Sequence, residues 1–152
     1  MTLLAAIVAS VVVMIGYSFQ KEQSRKAEQA IIYGEAIRAV HDYLEAPYRV
    51  LRRDGSAGGR LAITTYVSNI QSRLAYYDTV LRVHAPADVR AAYKELVGAA
   101  KQEAGPQMTA AWRGRPTRRD RDVPIRVKLE QPRSVMAFEK AIALMGQQMP
   151  PT

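Results

Sequence analysis

Apolar and polar positions divide the chain into one unbroken apolar run and several periodic stretches behind it. The run is Thr2 to Phe19, TLLAAIVASVVVMIGYSF, without a single charged side chain. As a helix it would span roughly 27 Å, against about 30 Å for a bilayer hydrocarbon core. Tyr17 and Phe19 fall where aromatic rings settle at a membrane interface, and Lys21 has the reach to snorkel to the head groups. A buried soluble helix is seldom apolar all round over such a length. The pattern predicts a transmembrane anchor over residues 1–20. No side-chain cation precedes the run, while Lys21, Arg25 and Lys26 follow it closely, so the positive-inside rule places the C-terminal domain in the cytoplasm. Ala5 with Ala9, and Ala6 with Ser10, form small-xxx-small pairs suited to membrane-helix packing. The competing expectation is a secretory signal with its apolar core at Leu3 to Ile15, cleaved after Ser18 within Gly16-x-Ser18.

Beyond the run the apolar positions recur at three- and four-residue steps. Ile32 or Tyr33, Ile37, Val40, Leu44, Tyr48 and Leu51 predict a helix from Lys21 to about Arg53, which Pro47 should kink or divide near Leu44 to Ala46. The membrane helix would then continue into the domain without a loop. Arg53 to Arg60, RDGSAGGR, reads as a flexible turn and lacks the Gly-Lys-Ser/Thr ending of a phosphate-binding loop. A second helix is expected from about Leu61 to Val83, with Ile63, Tyr66 or Val67, Ile70, Leu74, Tyr77 and Leu81 on one face. A third is expected from Ala87 to Ala104, ended by Gly105-Pro106, with a short turn at Met108 to Trp112. The polar stretch Arg113 to Pro124 reads as a linker. Ile125, Val127 and Leu129 then alternate with charges as an extended run. Pro132 and Ser134 open a last helix with Val135, Phe138, Ile142 and Met145 inward.

The expected fold is all-α: an N-terminal transmembrane helix continuing into a small three- to four-helix bundle, with a short extended C-terminal segment. As domains this gives a transmembrane anchor at 1–20 and a helical bundle at 21–112. A basic Arg-rich linker follows at 113–124, and an extended segment plus C-terminal helix docked on the bundle at 125–152.

Charge adds a partner class. The chain of 152 residues carries a formal net charge of +8, most of it arginine. Such a balance suits a polyanionic neighbour, anionic lipid or nucleic acid. Cysteine is absent, which removes disulfides, thiolate nucleophiles and Cys-based metal sites.

Arg113-Gly114-Arg115-Pro116 resembles the core of an AT-hook, an extended element that lies in the narrow minor groove of A·T-rich DNA. The resemblance covers those four residues and implies groove reading by Arg113 and Arg115, with Arg118, Arg119 and Arg121 on phosphates. Asp120 and Asp122 depart from a purely basic flank. A solvated linker or a basic patch facing anionic lipid is the leading expectation for the same five arginines, ahead of DNA. His41 and Glu45, one helical turn apart, are read as part of an exposed salt-bridge network and not as metal ligands. No catalytic or dinucleotide motif is present, so neither an enzyme nor a cofactor is expected. The leading expectation is a single-span, membrane-anchored helical interaction or accessory protein, with anionic lipid and a protein partner or a second copy as its contacts. In layout this resembles small single-span accessory proteins of bacteria and their phages. The alternatives are a membrane-linked DNA-binding protein using Arg113 to Arg121, and an exported periplasmic helical module.

Overall fold

A computed structural model describes residues 2–149, with side chains described for residues 20–149. Among them the structure contains four α-helices and a single turn of 3-10 helix, and no strands. α1 spans Thr2–Leu51, α2 Ala57–His84, α3 Ala87–Arg113 and α4 Pro132–Gln147, with the 3-10 turn at Asp120–Asp122. The chain runs up, down, up, down. α1 packs against both α2 and α3, which also touch each other, and α4 packs chiefly on α3 with Phe138 beside His41 of α1.

Two helices run further than sequence punctuation implies. Pro47 lies inside α1 and is wholly buried, yet the helix is undivided. A proline there removes one backbone donor from the turn before it. Gln131 Nε2 donates to the neighbouring Leu44 carbonyl at 3.1 Å, so a side chain from the loop before α4 reaches the disturbed stretch. α3 likewise continues through Gly105-Pro106 to Arg113. Burying Ala104, Met108 and Ala111 favours the extra two turns enough to offset the missing donor. The expected turn at Met108 to Trp112 is therefore helix, and Arg113 is the last residue of α3, not the first of a linker.

The inward face of α2 is the expected one, with Ile70, Leu74 and Leu81 buried. Tyr33, Val40, Leu44 and Met145 are also buried as expected, but the faces of α1 and α4 are otherwise displaced. α1 buries Tyr33, Ala36, Ala39, Val40, Tyr43, Ala46 and Val50, while Ile37, Tyr48 and Leu51 lie at the edge. α4 buries Ser134, Ala137, Ala141 and Met145, leaving Val135 57% and Ile142 51% exposed. Small side chains let helix axes approach closely, so the seams run through alanines while bulkier residues flank them.

α4 begins without a side-chain cap of its own. Instead Glu103 of α3 accepts from the Arg133 N–H at 2.8 Å, the Ser134 N–H at 2.9 Å and the Ser134 hydroxyl at 2.5 Å. Desolvation raises the Glu103 carboxyl pKa, but these hydrogen bonds and the Arg133 charge outweigh it and hold the group below the usual carboxylate range. Lys140 pairs with Glu95 at 2.6 Å further along the same contact. Ser134 is thus a buried ligand of Glu103, not the N-cap residue.

No helix among the described residues is long and apolar enough to cross a membrane. The expected anchor side chains, with the Ala5/Ala9 and Ala6/Ser10 pairs, lie outside the side chains described. The backbone there belongs to α1.

Candidate functional site

The candidate arginines gather at one end of the bundle, where α1 ends, α2 begins and α3 ends. Arg53 makes that junction. Its guanidinium is buried and donates to the carbonyls of Val50 at 2.9 Å, Ala111 at 2.7 Å and Trp112 at 3.0 Å, and also to Gly114. Helix C-termini leave carbonyls without partners and carry partial negative charge. One planar cation with several donors satisfies both ends at once, and it lies 5.0 Å from the centroid of the Trp112 ring.

The backbone locks around the same residue. Thr117 donates its N–H and its hydroxyl to the Arg53 carbonyl, each at 2.9 Å. Gly55, at φ 82°, turns the chain from α1 toward α2 in a region L side chains rarely adopt. A Cβ at Gly55 would lie 2.7 Å from Pro116 Cγ, so the proline ring occupies the space the glycine leaves. Asp54 and Ser56 cap α2: the Asp54 carboxylate accepts the Ser56 N–H at 2.9 Å and Ser56 Oγ accepts the Gly59 N–H at 2.8 Å. The bonds from Ser56 hold the Asp54 carboxyl below its ordinary pKa.

This framework fixes the positions of the five arginines singled out in the sequence. Arg113 ends α3, Arg115, Arg118 and Arg119 lie on the pinned loop, and Arg121 sits in the 3-10 turn, all exposed. The junction also brings in Arg52 from the end of α1 and Arg60 from the start of α2, with Arg49 a turn below. In sequence these three lie far from Arg113–Arg121, and no local pattern links them. Arg115, Pro116, Thr117, Arg118 and Asp122 border a surface depression of about 520 Å³. Nearby aromatic rings are covered by arginines: Arg49 lies over Tyr66 at 4.0 Å and Arg52 over Tyr48 at 5.6 Å.

A second feature follows from the displaced face of α4. Val135, Phe138 and Ile142 line an open groove of about 400 Å³ against Leu44 and Tyr48 of α1. His41 belongs to its wall, with its ring centroid 4.3 Å from that of Phe138. Glu45 and Glu139 stand at the edges. Among the described residues no group of three or more His, Cys, Asp or Glu is placed to hold a metal ion. The groove is not legible in the sequence, because its apolar residues share the helical repeat of the core. No family model, curated protein or solved structure matches the chain.

Proposed function

We propose that the chain is a single-span, membrane-anchored helical interaction protein, with α1 serving as both anchor and spine of the bundle. What carries the reading is the continuity of α1 from Thr2 to Leu51, which makes the uncharged run Thr2 to Phe19 the first part of the helix whose later turns form the core. An apolar run of this length is favoured in a bilayer. Between it and the bundle, exposed Lys21 and Arg25, with Lys26 paired to Glu22 at 2.8 Å, sit at head-group height.

The continuity separates two lipid expectations. At about 1.5 Å per residue, the end of α1 lies about 47 Å from Gln20, several Debye lengths away. Contact with the anchoring leaflet therefore falls to Lys21, Arg25 and Lys26 and not to Arg113–Arg121, which face away from it. The groove between α1 and α4 supplies an apolar surface for a protein partner.

The test is membrane fractionation of the full chain with intact-mass measurement and protease protection. We expect alkaline-resistant membrane association, retention of the first residues, and a C-terminal domain protected in spheroplasts. Loss of the first 18 residues with release into the periplasm would replace this reading with that of an exported module. A soluble, unprocessed chain would end both.

A further inference from the structure

We propose that the distal arginine cap is a binding site for the phosphate backbone of double-stranded nucleic acid, independent of base sequence. The proposal stands on the cap's geometry and needs the anchor for one clause only, the exclusion of the chain's own membrane.

The first support is the kind of cation. The exposed cations that α1, α2, α3 and the following loop bring to this end, Arg49, Arg52, Arg60, Arg113, Arg115, Arg118, Arg119 and Arg121, are all arginine. Among the six lysines Lys128 comes near it, its neighbour Leu129 donating to the Tyr48 hydroxyl under Arg52. Arginine presents a planar fork that matches two phosphate oxygens, which a lysine ammonium does not. The second is preorganisation. Arg53, Gly55 and Thr117 hold the ends of three helices and the loop together, so the segments that carry the arginines are fixed at one end of the bundle before any partner arrives. Three acidic groups at this end are engaged locally, Asp54 with Ser56, Glu45 with Arg52 at 3.6 Å and Asp122 with Arg121 at 3.9 Å, which leaves exposed Asp120 as one carboxylate set against eight arginines.

The duplex is favoured over a single strand because single strands are held largely by stacking on aromatic rings. Here Tyr48, Tyr66 and Trp112 each lie under an arginine of the junction. Base reading is disfavoured by the backbone. Arg113 is helical and the Gly114 carbonyl is bonded to Arg53, so Arg113 to Pro116 is not free to lie extended along a minor groove. Phosphate contact remains.

The experiment measures binding of the full chain, in mild detergent, to a 30-base-pair duplex of mixed sequence across a salt series. With about six phosphates neutralised, log K should fall against log salt with a slope of about −5, roughly a 30-fold loss per doubling of salt. The variant R115A/R118A/R119A changes exposed residues only and should flatten the slope to about −3. The charge-matched variant R90A/K94A/K101A, on the exposed side of α3, should leave the slope unchanged. Circular dichroism of both variants confirms equal helix content. A·T-rich and G·C-rich duplexes should bind within about 3-fold of each other. Several results would overturn the proposal: no binding at about 50 mM salt, equal loss in both variants, or tighter binding of a single strand of equal length. Preferential displacement of the duplex by polyglutamate, or by anionic vesicles at equal charge, would assign the cap to an acidic protein or to a second membrane instead. An A·T preference removed by R113A/R115A would assign it to groove reading.

Discussion

Arg53 and its neighbour Arg52 are identical in the sequence and opposite in circumstance, since one is 8% exposed and the other lies on the surface. A buried guanidinium is tolerable only when its donors are matched, and here four carbonyls from two helix ends and the following loop match them. Arg53→Ala should lower unfolding stability by about 2 kcal/mol, because it removes the charged bonds that tie the two helix ends together, although the Val50 and Ala111 carbonyls keep backbone donors. Arg53→Lys should recover only part, since a point charge cannot span both helix ends. Urea titration of both variants checks the ranking; equal stability of Ala and Lys variants would show that the fork geometry is unimportant. The opposite case is Tyr93. It is buried, its hydroxyl has no partner in the protein, and burial pushes the phenol pKa upward. Tyr93→Phe keeps the ring and removes an unsatisfied group, so it should raise stability by about 1 kcal/mol. A destabilised Tyr93→Phe would mean that the hydroxyl has a partner after all, such as a buried water.

At the scale of elements, α4 depends on a carboxylate supplied by α3. Glu103→Gln leaves one acceptor for three donors and removes the charge, so it should weaken the docking of α4 by about 1 kcal/mol at neutral pH. The pH dependence has a definite sign. The folded carboxyl is held below its ordinary value of 4.5, so its contribution is complete above that pH and is lost as pH falls through the folded pKa. Wild type and Glu103→Gln should therefore begin to converge in stability as the solution is acidified below 4.5, and a gap that does not narrow at all with acidification would remove ionisation from the explanation. The existence and order of all four helices were legible in the sequence, because the apolar repeat is strong and the breaks at Gly55 and Pro86 fall between elements. Helix ends and faces were less so. Gly105-Pro106 and Pro47 read as breaks, but burial of Met108, Ala111 and Val50 carries both helices past them. Bulky residues were assigned inward on α4, whereas Ser134, Ala137 and Ala141 make its seam and Phe138 and Ile142 flank it. An alanine carries little signal in an apolar count, yet it sets how closely two helices can lie. The arginine candidates were found only in part: those in Arg113 to Arg121 cluster in sequence, while Arg49, Arg52 and Arg60 join them only through the junction at Arg53.

For the whole molecule, one helix sets the height of everything else. If Thr2 to Phe19 lies in the bilayer, Gln23 stands at the head groups and the turns of α1 up to Leu51 act as a rod. The turn between α2 and α3 then faces the membrane, while the 3-10 turn and the arginine cap face away from it. Arg119, on the loop held at the end of α1, should lie about 40 Å above Gln23, a separation that a tilt of 20° shortens by only about 6%. The lack of native cysteine makes this measurable, since a single thiol placed at either position carries the only label. In vesicles, a dye at Gln23→Cys should be quenched by a head-group quencher, and one at Arg119→Cys should keep its full emission. Adding anionic lipid should raise the quenching at Gln23 without reaching Arg119, because the attraction decays over about 8 Å in physiological salt. Strong quenching at both positions would mean that the bundle lies flat on the lipid. The arginine cap would then be a membrane-contact surface, and the upright arrangement would be lost along with the division of labour between the two clusters of cations.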